Sequence, residues 1–176
     1  MYLISVYFDD HTNQILQRYI DQVAKKTGNT FMTDNNVPPH LTISSIEARS
    51  AEVLIPAFDR ICEEITAGDI QFVSTGQLHP YVMYVTPVIN EYLQKLQEKV
   101  YESVSNIEET SVSRFYKPYS WLPHVTIGKK LTKDQMKEAF GVLQDSFVPF
   151  YGRVTEIGLA RVNPHEDVIR IKLGDK

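Results

Sequence analysis

A chain of 176 residues is long enough for one domain with a substantial core, or for two half-size lobes that share one. Its 43% hydrophobic and 23% charged residues exclude disorder, and a net charge of −4 excludes a coat for long duplex DNA, which works by neutralising many phosphates. The single cysteine, Cys62, excludes an internal disulfide framework and a cysteine-based zinc site.

The opening MYLISVYFDD has no basic leader and a short apolar run, so Tyr2 to Phe8 is expected to be a first strand and not a signal peptide. No apolar run reaches membrane-spanning length, and the expectation is a cytoplasmic protein with no membrane partner. Ile15, Leu16, Tyr19, Ile20, Val23 and Ala24 follow at helical spacing, with Gly28 as a stop. The polar stretch 29–39 leads to a strand from His40 to Ile46. Ser50 is a candidate N-cap for a second helix facing inward with Val53, Leu54, Phe58, Ile61 and Ile65, and Pro56 should either kink it or mark its true start. Ile70 to Leu78 and Tyr81 to Thr86 read as strands meeting at His79-Pro80.

The second half repeats this order. Ile89, Tyr92, Leu93, Leu96, Val100 and Val104 form a helical stripe, an irregular segment runs to Pro123, and a strand follows from His124 to Gly128. Thr132 to Gln135 matches a capping box that opens a helix with Met136, Ala139, Phe140 and Leu143 inward. Strands at about 153–162 and 168–173 close the chain. Pro80 and Pro164, each between two strands, are a second mark of the repeat. With no Gly/Ser-rich linker between the halves, residues 1–176 are expected to be one domain of two pseudo-symmetric lobes. The fold class expected is α+β, with two antiparallel sheets flanked by helices around a central cleft.

The strongest signal is a repeat at short range. PPHLTI, Pro38 to Ile43, returns 84 positions on as LPHVTI, Leu122 to Ile127. On a strand, His40 and Thr42 share one face while Leu41 and Ile43 share the other, and the same holds for His124 and Thr126 against Val125 and Ile127. At about 3.3 Å per residue the two polar carriers of each copy stand roughly 7 Å apart, close enough for both to reach one tetrahedral anion. In-line phosphoryl transfer needs acid and base on opposite sides of phosphorus, and two lobes about an approximate twofold axis can supply one histidine each. An ordinary pKa of about 6.5 lets one imidazole be neutral and the other charged near neutrality. Thr42 and Thr126 are the candidate donors to the phosphate oxygens. The plain structural alternative is a hydrogen-bonded histidine beside a β-favouring threonine, but packing alone would not select the same polar pair twice.

The paired motif, and the length and order of elements around it, resemble the two-histidine (2H) phosphoesterase superfamily, in particular its bacterial 2'-5' RNA ligase-like, cyclic phosphodiesterase branch. The resemblance implies a bilobal α+β fold and chemistry without metal or other cofactor on 2',3'-cyclic phosphates or 2'-5' linked RNA ends or small nucleotides, possible in the ligating direction as well. It implies His40 and His124 as catalytic residues and Thr42 and Thr126 as phosphate-binding. The expected partner is a small nucleotide or RNA terminus, met by a monomer. The alternative is a module that binds the same ligands without turning them over.

Weaker candidates surround this pair. SRFYKPYSWLP, Ser113 to Pro123, offers Arg114, Tyr116, Lys117 and Tyr119 as substrate-binding residues, with aromatic faces for bases and cations for phosphate, and Trp121 as its structural member. Tyr7 on the first strand is another candidate, as are Arg153 and Arg161 on a strand expected at the cleft edge. His11, His79 and His165 lack a following threonine and are expected at the surface, as are Lys129 and Lys130. No HExxH, CxxC or Walker-type loop accompanies the histidines.

Overall fold

Alternating apolar residues at the start of the chain become strand β1 (Tyr2–Phe8), with Ile4, Val6 and Phe8 in the core. The computed structural model describes residues 1–162 and 166–175; the expectations for Pro164 and His165 lie outside the described residues. Asp9 opens helix α1 (Asp10–Thr27) by accepting the Thr12 N–H at 2.9 Å, and Gly28 ends it with a left-handed φ of 68°. A single-turn helix α2 (Phe31–Asp34) follows, too short to leave a periodic trace in the sequence.

After strand β2 (Leu41–Glu47) comes helix α3 (Ile55–Glu64). Ser50 is not its cap: the helix starts later, where Pro56 fits the first turn because its missing N–H has no partner to lose there. Strands β3 (Gly68–Leu78) and β4 (Val82–Pro87) form a hairpin. Asn90 then caps helix α4 (Glu91–Val104), which leaves Ile89 outside the helix and exposed. The short strand β5 (Ser111–Val112) and a 3-10 turn at Arg114–Tyr116 precede strand β6 (Val125–Gly128). Helix α5 (Lys133–Ser146) has the capping box read from Thr132 and Gln135. Its buried stripe is Met136, Ala139 and Leu143, and Phe140, expected inward, stands exposed on the rim. Strands β7 (Phe150–Arg161) and β8 (Glu166–Lys172) complete the α+β fold.

Instead of two separate sheets, the strands of the described residues form one antiparallel network of eight. β2, β1, β7 and β8 lie side by side in one half, and β6, β4 and β3 in the other. Two joints connect the halves. β7 is long enough to serve both, pairing β3 through 150–154 and β1 through 154–161, and β2 meets β6 at the single pair Leu41↔Val125. One hydrophobic core runs beneath both halves, from Ile4, Leu41 and Leu159 to Val85, Val125 and Ile127. Cys62 is half-buried on α3, and burial, reinforced by Asp59, pushes its thiol up to about 11, so it stays protonated at neutral pH.

Candidate active site

The two Pro-His-x-Thr segments fold alike. Pro39 and Pro123 are buried, and each restricts the residue before it to extended backbone, which turns that residue's carbonyl back toward the histidine. His40 Nδ1 lies 2.8 Å from Pro38 O, and His124 Nδ1 lies 2.8 Å from Leu122 O. A carbonyl can only accept, so Nδ1–H is the donor in both rings and proton exchange with a ligand must run through Nε2. Both rings are half-buried. Desolvation lowers the His124 pKa below its ordinary value, and the bond to Leu122 O partly opposes it.

The register of the two strands unites the four predicted side chains. β2 and β6 are antiparallel and meet at Leu41↔Val125, and that register continued one step outward would set His40 across from Thr126 and Thr42 across from His124. The histidines then occupy diagonal positions, about 7–8 Å apart in a regular ladder, which leaves space for a tetrahedral phosphorus between them. A further repeat lies in the pairing with the neighbouring strands. Ser5 pairs Thr42 and Ile4 pairs Ser44, leaving Ile43 as the extra residue of a bulge, while Tyr84 pairs Thr126 and Met83 pairs Gly128, leaving Ile127 as its counterpart. Both bulges come one residue after the threonine and twist each strand at the same point.

The halves diverge at the residues beside the threonines. Ser5 Oγ donates to Thr42 Oγ1 at 3.3 Å, giving that side two neighbouring hydroxyls. Its counterpart is Tyr84, whose ring lies 5.3 Å from the His124 ring. Tyr84 is directly opposite Gly76, where a Cβ would sit 2.3 Å from the Tyr84 hydroxyl. Gly76→Ala is therefore expected to swing the half-buried tyrosine aside at a stability cost of about 1 kcal/mol or less. The His124 imidazole resonances should move in an NMR spectrum while those of His40 hold still.

Tyr7, the weaker candidate on β1, lies beside His40 with ring centroids 6.2 Å apart. It is 2% exposed, and burial, with Asp167 and Glu156 adding to it against the opposing Arg170, pushes its hydroxyl up to about 12. The Arg170 guanidinium lies over its ring at 3.7 Å and pairs with Glu156. Sequence reasoning passed over Ser5, Tyr84 and Arg170, although the alternation Val168-Ile169-Arg170-Ile171-Lys172 marks Arg170 as facing away from the apolar side of β8. The arginines it did single out lie elsewhere: Arg153 is held by Asp69 and Asp175, each at 2.6 Å, and Arg161 pairs with Glu166. His11, His79, Lys129 and Lys130 are exposed as expected.

The segment before the second motif runs back along the outer edge of β2. β5 pairs Glu47 and Ile46, Ser113 N donates to Ser45 O at 2.9 Å, and Trp121 Nε1 donates to Thr42 O at 3.0 Å. Trp121 is thus the structural member, tying the approach to one motif onto the strand of the other. Tyr116 is half-buried and its hydroxyl raised by burial, whereas Arg114, Lys117 and Tyr119 are exposed.

Among the described residues no group of three or more His, Cys, Asp or Glu is placed to hold a metal ion, and no helix is long and apolar enough to cross a membrane. Escherichia coli LigT, solved with 3'-AMP, is similar in fold, with a TM-score of 0.67, 16% identity, and 99% of this chain and 98% of that one covered. The protein TT0787 of Thermus thermophilus gives 0.64 at 15% identity, with 99% of both chains covered. A Bacillus licheniformis protein named a "putative phosphoesterase" is 27% identical over 114 residues, 61% of this chain and 62% of that protein's length. The model of the 2'-5' RNA ligase superfamily matches residues 13–166. That match spans both histidine motifs and nearly every element described above, and the chain belongs to the 2'-5' RNA ligase superfamily, a group of phosphoesterases.

Proposed function

We propose that this protein is a phosphodiesterase that needs no metal and acts on 2',3'-cyclic phosphates or 2'-5' linkages of RNA ends or small nucleotides. The reading rests on the diagonal histidine pair, each ring fixed through Nδ1 to its own backbone carbonyl and each with a threonine across the strand from it. Family membership supports it, as does the fold shared with LigT, which has been solved with 3'-AMP and with phosphate. The two halves of the sheet act as pseudo-symmetric lobes, each supplying one acid–base group.

In hydrolysis, His124 Nε2 takes a proton from the attacking water as the new P–O bond forms. The bond from phosphorus to a ribose oxygen breaks on the far side, and His40 Nε2–H protonates the departing alkoxide. Thr42 and Thr126 donate to the non-bridging oxygens, where charge builds in the transition state. With a ribose hydroxyl in place of water, the same exchange joins two ends. His124 suits the base because its desolvated ring resists protonation.

The pH dependence follows from that assignment. A base must be neutral, so activity is lost as pH falls through the His124 pKa; with that pKa lowered, the acid limb of kcat/KM should have its midpoint below 6.5. Stability runs the same way, since the unfolded chain takes up the proton first as pH falls below 6.5. Purified protein with chelator present should open 2',3'-cyclic nucleotides or cleave a 2'-5' dinucleotide. Absence of turnover on both, in a protein that still binds them, would replace this reading with that of a binding module.

A further inference from the structure

We propose that the segment 113–121 is a docking strip for the unpaired nucleotides next to the scissile phosphate, so that the preferred substrate is an RNA oligonucleotide end and not a mononucleotide. The inference rests on the phosphodiesterase reading and names its substrate class. Four fixed points hold the strip. Ser113 N and Trp121 Nε1 donate to Ser45 O and Thr42 O, Ser120 N donates to Lys117 O at 3.0 Å, and the amide of Gln97, buried at 3% exposure on α4, donates to Tyr116 O at 2.7 Å. A buried polar side chain spent on a loop carbonyl keeps that loop in one shape.

On this base the side chains divide. Tyr116 and Trp121 turn toward the protein, while Phe115 is 62% and Tyr119 93% exposed. The outward rings therefore have no part in capping the core. Arg114 lies over the Phe115 ring at 4.8 Å, Lys117 is exposed between the two aromatics, and Tyr119 is held outward at a φ of 64°. No acidic residue lies between Ser113 and Lys130 in a chain whose net charge is −4. Aromatic faces interleaved with cations match the alternating bases and phosphates of a single strand, and suit neither an apolar protein face nor a duplex. The strip is continuous with the candidate active site, because its far end is bonded to Thr42 and leads straight into His124.

The test compares kcat/KM for a short oligoribonucleotide ending in a 2',3'-cyclic phosphate with that for adenosine 2',3'-cyclic phosphate. Wild type should prefer the oligonucleotide by about tenfold or more for each base stacked, and Phe115→Ala/Tyr119→Ala should collapse that ratio toward one. Equal rates on both substrates in wild type, or an unchanged ratio in the variant, would overturn the inference. Fluorescence anisotropy with a 3'-phosphorylated oligoribonucleotide decides the matter without turnover. Arg114→Gln/Lys117→Gln should reduce the slope of log K against log salt by about 1.4, and an unaltered slope and affinity in both variants would count against the strip. If neither cyclic phosphate is opened, the enzymatic reading fails while the binding result still judges the strip. Unchanged thermal melts would exclude loss of fold as the cause.

Discussion

Replacing either His40 or His124 by alanine is expected to lower kcat on a 2',3'-cyclic nucleotide by about 10²- to 10⁴-fold, with KM little changed. The loss falls on kcat because each imidazole does its work when a proton moves in the transition state and contributes little to holding the ground state. Removing both should cost little more than the worse single change, since acid and base act as a unit on one phosphorus. Thermal stability should hold, because both rings are half-exposed at the entry to their strands and each Nδ1 bonds a carbonyl only two residues away. Steady-state assays of the three variants, with melting curves alongside, check the prediction. Full activity in either single variant would end the two-histidine reading.

Much of this was legible because it is written at short range. Pro-His-x-Thr-Ile encodes its own local geometry: the proline aims a carbonyl, the carbonyl fixes the imidazole, and period two sets the threonine on the same face. Thr132 and Gln135 likewise close their capping box with bonds only three residues long. What stayed hidden depends on partners distant in sequence. Tyr84 reaches the site only because β4 pairs β6, and Ser5 only because β1 pairs β2 with a bulge that shifts its register. Arg170 arrives across β7, with Gly158 between it and Ser5. No periodicity within one segment carries such information. Phe140 failed for a related reason: helical spacing says which residues share a face, whereas the neighbouring elements decide how wide a stripe they cover.

The same distant pairing explains how an internal repeat becomes an asymmetric site. At equivalent positions the halves carry Ser5 and Tyr84, and then Tyr7 and Thr86. Thr86 spends its hydroxyl on Pro123 O at 2.7 Å, bracing the turn before His124, while Tyr7 sets a buried ring beside His40. Each histidine thus has its own support, by different chemistry. Symmetry sets the two groups in opposition across phosphorus, and its local loss gives them different environments, as an acid and a base require.

That opposition lasts only as long as the halves are held together, and Phe72 marks where they join. It is fully buried on β3 at the position that pairs both Pro87 of β4 and Phe150 of β7. Its ring stacks on Phe150 at 4.8 Å and meets Phe8 edge-on at 5.9 Å, so this β3 side chain packs against two strands of the other half, β7 and β1. Phe72→Ala is expected to cost about 3–5 kcal/mol, through lost transfer energy and a cavity bounded by strands too constrained to collapse into it. Equilibrium urea unfolding followed by tryptophan fluorescence and by far-ultraviolet circular dichroism measures it. If the halves share one core, both signals should fall in a single coincident transition in wild type and in the variant, shifted to lower urea. Trp121 reports from the β2–β6 joint and circular dichroism from the whole network, so two separated transitions would mean that the halves unfold independently. In a single unit the variant that still folds should also lose activity, because loosening the joint on β7 frees the two histidine-bearing strands to shift across the gap that the phosphate must bridge.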